Sequence, residues 1–136
     1  MTLLASISRF MSRFRHPVSL PEDVANDIGI SVSNNLNFNE FLNYLSSLHC
    51  RPTKLRKYMP REEAEALFHS ALKKENFAYN TFFSYYFDKG WLVLALYYDR
   101  EGRLRRLNVQ CPLDSKISSC DLPLAQENFL AEPSFS

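Results

Sequence analysis

Residues 81–98 read TFFSYYFDKGWLVLALYY, a seven-residue and an eight-residue run rich in aromatic and apolar side chains, hinged on Asp88-Lys89-Gly90. Runs this short and this rich in aromatic residues, separated by a turn whose glycine can take positive φ, predict two antiparallel strands. A second tight turn at Asp99-Arg100-Glu101-Gly102 leads into residues 103–111, a third predicted strand that Pro112 should end. Three strands joined by two short turns make an antiparallel meander. Residues 91–98 are apolar on both alternating faces and so belong at its centre.

Upstream, the apolar period is helical. Asn37 and Glu40 have the spacing of a capping box, and Phe38, Phe41, Leu42, Leu45 and Leu48 follow at helical intervals to Cys50, with Pro52 as the stop. A further helix is expected from Pro60, with Glu62 and Glu63 in its first turn and Lys73 and Lys74 in its last. Its buried stripe would be Ala64, Leu67, Phe68, Ala71 and Leu72. Pro21-Glu22-Asp23 opens a short helix that Ile28-Gly29-Ile30 breaks. Before Pro17, the residues Leu3, Leu4, Ile7, Phe10, Met11 and Phe14 fall on one stripe of a helix, with Arg9 and Arg13 opposite. After Pro112 no period survives, and Leu122, Leu124, Phe129 and Leu130 are the residues by which a tail could dock.

These elements predict an α+β fold, a two-layer arrangement of helices packed on a three-stranded antiparallel meander sheet. The expected organisation is a basic amphipathic helix over 1–16, an α+β domain over 17–112 and a loosely ordered tail over 113–136. A chain of 136 residues is long enough to bury one core without staples.

Composition removes several function classes. Sixteen Lys and Arg against fifteen Asp and Glu leave a net charge of +1, so attraction to nucleic acid or anionic lipid would need a local patch. Three glycines, Gly29, Gly90 and Gly102, cannot build a phosphate-cradling loop. Cys50, Cys111 and Cys120 have no C-x-x-C spacing, which argues against a disulfide framework and structural zinc and for a reducing, cytoplasmic setting. No apolar run approaches the roughly 18 residues of a membrane span. The acidic pairs Glu22/Asp23 and Glu62/Glu63 are explained as helix N-terminal charges, and neighbours such as His49 and Cys50 do not face each other on a helix. No catalytic, cofactor or metal residue is therefore expected.

The unusual feature is aromatic density, with six aromatic side chains among residues 77–86. On a period of two they cannot all point inward. If Phe83, Tyr85 and Phe87 pack on helices, then Phe82, Ser84 and Tyr86 lie on the opposite face. Aromatic surfaces of this kind anchor protein interfaces, so Phe82, Tyr86, Trp91 and Tyr97, with Arg103 and Arg105 on the third strand, are the candidate partner-binding residues. The N-terminal helix or the tail covering that face from within is the structural alternative. Arg103 and Arg105 are expected to share a face with Leu107 and Val109.

The order of helix, helix, aromatic strand, the hairpin 92–99 with Gly102, and Leu104 to Val109 resembles the small BamE/SmpA-like fold. That resemblance covers roughly residues 37–109 and implies two helices on a three-stranded antiparallel sheet. Met59-Pro60-Arg61-Glu62-Glu63 stands where the second helix of that family begins. This chain has no lipobox-like Leu-x-x-Cys near its start, so an outer-membrane assembly role is not the expectation. The same layout also looks like that of small bacterial inhibitor and immunity proteins.

The function expected from sequence is a cytoplasmic, non-enzymatic protein-binding module of inhibitor, immunity or adaptor type, acting through an aromatic sheet face. A homodimer could close through that same face. One alternative is a membrane-peripheral protein in which Leu4, Ile7, Arg9, Phe10, Arg13 and Phe14, within residues 3–15, bind a membrane surface. The other, less favoured, is nucleic-acid binding through Lys54, Arg56, Lys57 and the arginines of residues 100–106.

Overall fold

A computed structural model describes residues 18–33, 35–87, 90–113 and 116–126. The elements run α1 (Pro21–Ile28), α2 (Phe38–Leu45), α3 (Arg61–Glu65), β1 (Lys73–Asn76), β2 (Asn80–Phe87), β3 (Gly90–Tyr98), β4 (Leu104–Leu113) and β5 (Lys116–Leu122). The strands form a single antiparallel sheet in the order β1-β2-β3-β4-β5, with β3 in the middle.

The helix starts follow local chemistry. At α2, Glu40 N–H donates to Asn37 Oδ1 at 2.8 Å and Asn37 N–H donates to the Glu40 carboxylate at 2.9 Å, closing the capping box. At α1, Leu20 N–H donates to Asp23 Oδ2 at 2.9 Å, and Gly29 ends the helix at φ 80. That glycine is required twice over. A Cβ there would sit 2.5 Å from Thr53 Oγ1 and 2.9 Å from Lys54 N, in a loop whose Thr53 N–H donates to Gly29 O at 3.0 Å.

The sheet corrects the expected three strands to five. The first extra strand, β1, occupies residues read as the last turn of a long helix. In fact α3 stops at Glu65, Ala64 and Phe68 reach the core, and the chain then turns away. Long-range bonds win over helical period here. Ser70 N–H donates to Asp27 Oδ2 at 3.1 Å, and Leu72 N–H donates to Ser84 O at 2.8 Å, which starts the ladder into β1. The second, β5, lies inside the segment expected to be a loose tail; β4 runs on through Pro112 to Leu113 and pairs back, with Val109 opposite Cys120 and Leu107 opposite Leu122. Among the described residues there are three helices and five strands, where the BamE/SmpA-like resemblance implied two helices on three strands.

The core lies between the helices and one sheet face. Phe87 packs on Phe38 and Phe41 with ring centroids 4.9 and 6.2 Å away, and Phe68 stacks on Phe83 at 4.4 Å and 8°. Leu92, Leu94 and Leu96 on β3 are fully buried on the same face. Each such side chain removed from water contributes about 1.5–3 kcal/mol before entropy is counted.

A register shift between Tyr97 and Tyr98 pairs Tyr97 with Arg106 but Tyr98 with Leu104, leaving Arg105 as the extra residue of a bulge. Simple alternation therefore fails across it. Leu104, Leu107 and Val109 point inward, whereas Arg103 and Arg105 are exposed and do not share a face with Leu107 and Val109.

Candidate functional site

Alternation along β2 and β3 divides the aromatic residues cleanly. Thr81, Phe83, Tyr85 and Phe87 oppose Leu96, Leu94, Leu92 and Gly90 on the helix side. Asn80, Phe82, Ser84 and Tyr86 oppose Tyr97, Ala95, Val93 and Trp91 on the outer side. Four candidate residues, Phe82, Tyr86, Trp91 and Tyr97, thus meet on one face, all of them partly exposed. They form ring pairs: Phe82 with Tyr97 at 6.4 Å and Tyr86 with Trp91 at 5.0 Å. The described helices pack on the other side of the sheet.

Sequence reasoning missed the anchor of this surface, the β1–β2 hairpin. Phe77 N–H donates to Asn80 O at 2.8 Å, closing a two-residue turn over Ala78 and Tyr79. Phe77 is 50% exposed and Tyr79 57% exposed, and Phe77 meets Phe82 edge-on at 5.4 Å. The signal was present as aromatic spacing, but a short polar strand gave no reason to place a hairpin there.

Arg61 holds that hairpin in shape. Its Nη1 donates to Ala78 O at 2.9 Å and its Nη2 to Phe77 O at 2.8 Å, while its guanidinium lies over the Tyr98 ring at 4.6 Å. Glu65 holds Arg61. Its Oε2 accepts from Arg61 Nε at 2.8 Å, from Thr81 Oγ1 at 2.6 Å and from the Tyr98 hydroxyl at 3.1 Å, and its Oε1 meets Lys74 Nζ at 2.8 Å. Burial alone would raise the Glu65 carboxyl, but the hydrogen bonds from Lys74, Thr81, Arg61 and Tyr98 outweigh it and hold the group at about 2. Burial pushes the Tyr98 phenol up. The exposed aromatic pair is therefore presented on a backbone that is tied down.

The arginine candidates lie elsewhere. Arg103 Nη1 donates to Tyr58 O at 3.1 Å, and Arg105 stands over the Tyr58 ring at 4.8 Å and 3.4 Å from Asp99 Oδ2. Both flank the β3–β4 turn and do not join the aromatic cluster. Arg106 does join it, 5.3 Å from the Tyr97 ring, with Nε donating to both Asp121 oxygens at 2.8 and 2.9 Å. Lys73, on β1, lies 5.6 Å from the Trp91 ring. The membrane candidates Leu4, Ile7, Arg9, Phe10, Arg13 and Phe14 lie outside the described residues.

A second polar cluster joins α1 to the sheet. The Asp27 carboxylate is wholly buried and accepts the Tyr85 hydroxyl at 2.7 Å. Its Oδ1 is 3.1 Å from His69 Nε2, an ion-pair distance outside hydrogen-bond geometry, and His69 Nδ1 is 3.5 Å from Ser70 Oγ. The residue types are those of a nucleophile, base and orienting acid. The nearby amides, however, are all committed: Ser70 N–H to Asp27, Ala71 N–H to Phe68 O and Leu72 N–H to Ser84 O. No oxyanion cradle is left by these three donors.

The Cys50 and Cys111 thiols are buried and that of Cys120 is half-buried. Burial, with Cys120 close by, pushes the Cys50 thiol up to about 11, and burial raises Cys111 and Cys120 as well. A cavity of about 480 Å³ opens between α2 and strands β4 and β5, with Leu42, Cys111, Cys120, Asn39 and Asn43 among its walls. Among the described residues no group of three or more His, Cys, Asp or Glu side chains is placed to hold a metal ion, and no helix is long and apolar enough to cross a membrane. No protein family, curated protein or solved structure matches the chain.

Proposed function

We propose that this chain is a non-enzymatic protein-binding module, of inhibitor, immunity or adaptor type, that engages a protein partner through the outer aromatic face of its sheet. The observation that carries the reading is the convergence of Phe77, Phe82 and Tyr97 into one edge-on aromatic run beside the exposed Tyr79, on a hairpin tied by Arg61 and Glu65. Rigid aromatic side chains bury large areas at low entropic cost, which is why they dominate interface energetics. A cytoplasmic location is part of this reading, consistent with three free cysteines.

Charge favours a protein over nucleic acid. Arg106 is neutralised by Asp121, Arg105 faces Asp99, Arg56 pairs with Glu63 at 2.7 Å, and Lys54 Nζ donates to Asn26 O at 2.6 Å. A phosphate would have to compete with these carboxylates and this carbonyl for the same cations. Peripheral membrane attachment through residues 3–15 remains a separate proposal; co-sedimentation with anionic vesicles that fails at every salt concentration would sink it.

The test compares the full chain with a Phe82→Ser/Tyr97→Ser variant. Proteins captured from source cells by the first and lost by the second are purified, and their affinity is measured by calorimetry. An interface predicts a melting temperature lowered by no more than about 10 °C and an affinity loss of about 30-fold, the ~2 kcal/mol of a hot spot. Collapse of the fold would reassign the face to the core, and equal affinity would place the partner elsewhere. Light scattering at several concentrations reports whether the partner is a second copy.

A further inference from the structure

The helix side of the sheet carries a hollow that the core leaves unfilled. The end of α2 lies over β5, with Cys120 Sγ 4.0 Å from Leu45 O. Beside that contact opens the cavity of about 480 Å³, whose apolar walls are Leu42, Leu45, Val109, Cys111 and Cys120. This volume is in the range of small-molecule sites. Among the described residues no Lys, Arg, His, Asp or Glu lines it, and burial pushes its two thiols up. Its interior is therefore neutral and takes hydrocarbon in preference to an ion.

A second cavity, of about 380 Å³, shares Leu45 and Ser46 with the first. The first reaches Ser119 and Cys120 and the second Asp121, Leu122 and Pro123, so the two follow one strand in succession. Leu48 is an apolar lip of the second cavity and is 88% exposed. Two charged side chains lie at this end. Asp121 is already engaged, by Arg106 Nε at 2.8 and 2.9 Å and by Asn108 Nδ2 at 2.7 Å. The Arg51 guanidinium has no ion-pair partner among the described residues. The carbonyls that end α2 are capped, by Ser46 Oγ donating to Leu42 O at 3.2 Å and Asn43 O at 3.1 Å, and by Ser47 Oγ donating to Tyr44 O at 2.7 Å. That softens the negative end of the helix where it borders the hollow. A neutral apolar hollow leading to an unpaired guanidinium suits a ligand with a hydrocarbon body and an anionic, planar head.

We propose that the two cavities form one site for a free single-chain carboxylate, with the alkyl chain in the hollow between Leu42 and Cys111 and the carboxylate at Arg51. The site is on the helix side of the sheet, across from Phe82 and Tyr97, and stands independently of the partner reading.

The test titrates dodecanoate, dodecanol and dodecyltrimethylammonium into the full chain by calorimetry, below their micellar concentrations. Expected are one saturable site per chain for dodecanoate, weaker binding of dodecanol and no saturable binding of the cation. Arg51→Gln should weaken dodecanoate about 3–10-fold and leave dodecanol unchanged. Asn43→Trp puts an indole into the hollow from an exposed position of α2 and should abolish binding of both, with thermal melting showing the fold intact. Leu42→Trp gives the same reading if that variant is unstable. Bound dodecanoate should slow alkylation of Cys120 by iodoacetamide, mapped by mass spectrometry, and Phe82→Ser/Tyr97→Ser should bind dodecanoate as the unmodified chain does. No saturable binding, equal affinity for the three probes, or undiminished dodecanoate binding in Arg51→Gln or in a folded tryptophan variant overturns the proposal. So does unchanged Cys120 alkylation, or a loss of binding in Phe82→Ser/Tyr97→Ser, which would move the ligand to the aromatic face.

Discussion

The Tyr85 hydroxyl donates to the Asp27 carboxylate at 2.7 Å, with both side chains wholly excluded from solvent. It is the only tie of its kind between α1 and β2 among the hydrogen bonds of the described residues. Tyr85→Phe removes a donor from a buried carboxylate whose Oδ1 already lacks a hydrogen-bond partner. The expected loss is about 1–3 kcal/mol, read as a lower urea midpoint at unchanged slope. Burial, then the hydrogen bond to Asp27, pushes the Tyr85 phenol well above the ordinary tyrosine range. The native state therefore keeps a proton that the unfolded chain releases. Stability is complete below about pH 10 and falls as pH rises beyond it, and Tyr85→Phe should flatten that alkaline fall.

Glu65 gives the opposite sign at the acid end. Its carboxyl is held at about 2 against an ordinary value of 4.5, because four donors outweigh the cost of burial. Its contribution is present in full above the ordinary value and drains away as pH falls from there toward the folded one. Glu65→Gln should cost about 2–4 kcal/mol near neutrality, by leaving Arg61 and its partners without their counter-charge. The gap from the unmodified chain should narrow in urea titrations carried below pH 4.5.

Phe82 and Phe83 are neighbours with different fates. Phe83 is 2% exposed and stacked on Phe68, so Phe83→Ala should cost about 3–5 kcal/mol. Phe82 is partly exposed on the other face, and Phe82→Ala should cost about 1 kcal/mol or less. Thermal melts of the two variants measure the difference directly; equal losses would show that both faces are core.

Gly29 and Gly102 share a left-handed backbone but not a neighbourhood, with φ +80 and +75. Nothing lies within 4 Å of a Cβ built on Gly102, so Gly102→Ala should carry only the conformational cost of about 1–2 kcal/mol. Gly29→Ala adds a collision with the Lys54 backbone and should cost more. Paired chemical denaturation curves test the order.

Much of this architecture is legible in the residues. The Asn37/Glu40 box, the Pro21 and Gly29 punctuation and the two aromatic strands are local signals, and the structure contains all of them. The division of β2 into a Phe83 face and a Phe82 face follows from period two alone. What could not be read is what depends on distant partners. Lys73–Asn76 has four exposed side chains and no alternation, and becomes a strand only because β2 offers it a ladder. Lys116–Leu122 has a serine-rich turn composition and becomes one because Val109 and Leu107 await Cys120 and Leu122. The bulge at Tyr97, which turns Arg105 away from Leu107, leaves no mark in sequence spacing. Asp27 and Glu65 look like ordinary helix acids until the fold brings Tyr85 and Arg61 to them.

Because every strand pairs with its immediate successor, each ladder closes a short loop, and the sheet can zip one hairpin at a time. The helices have no such option. Asp27 waits for Tyr85 across 58 positions, and Phe41 waits for Phe87, so α1 and α2 leave the ribosome with their apolar stripes unmatched. The expected order of folding is thus the reverse of the order of synthesis, with β2 and β3 as the template. Pulse-labelled hydrogen exchange should find their amides protected before those of α1, and earlier protection of α1 would contradict this order. Until β2 and β3 are made, α1 and α2 lack the sheet face that receives Asp27 and Phe41.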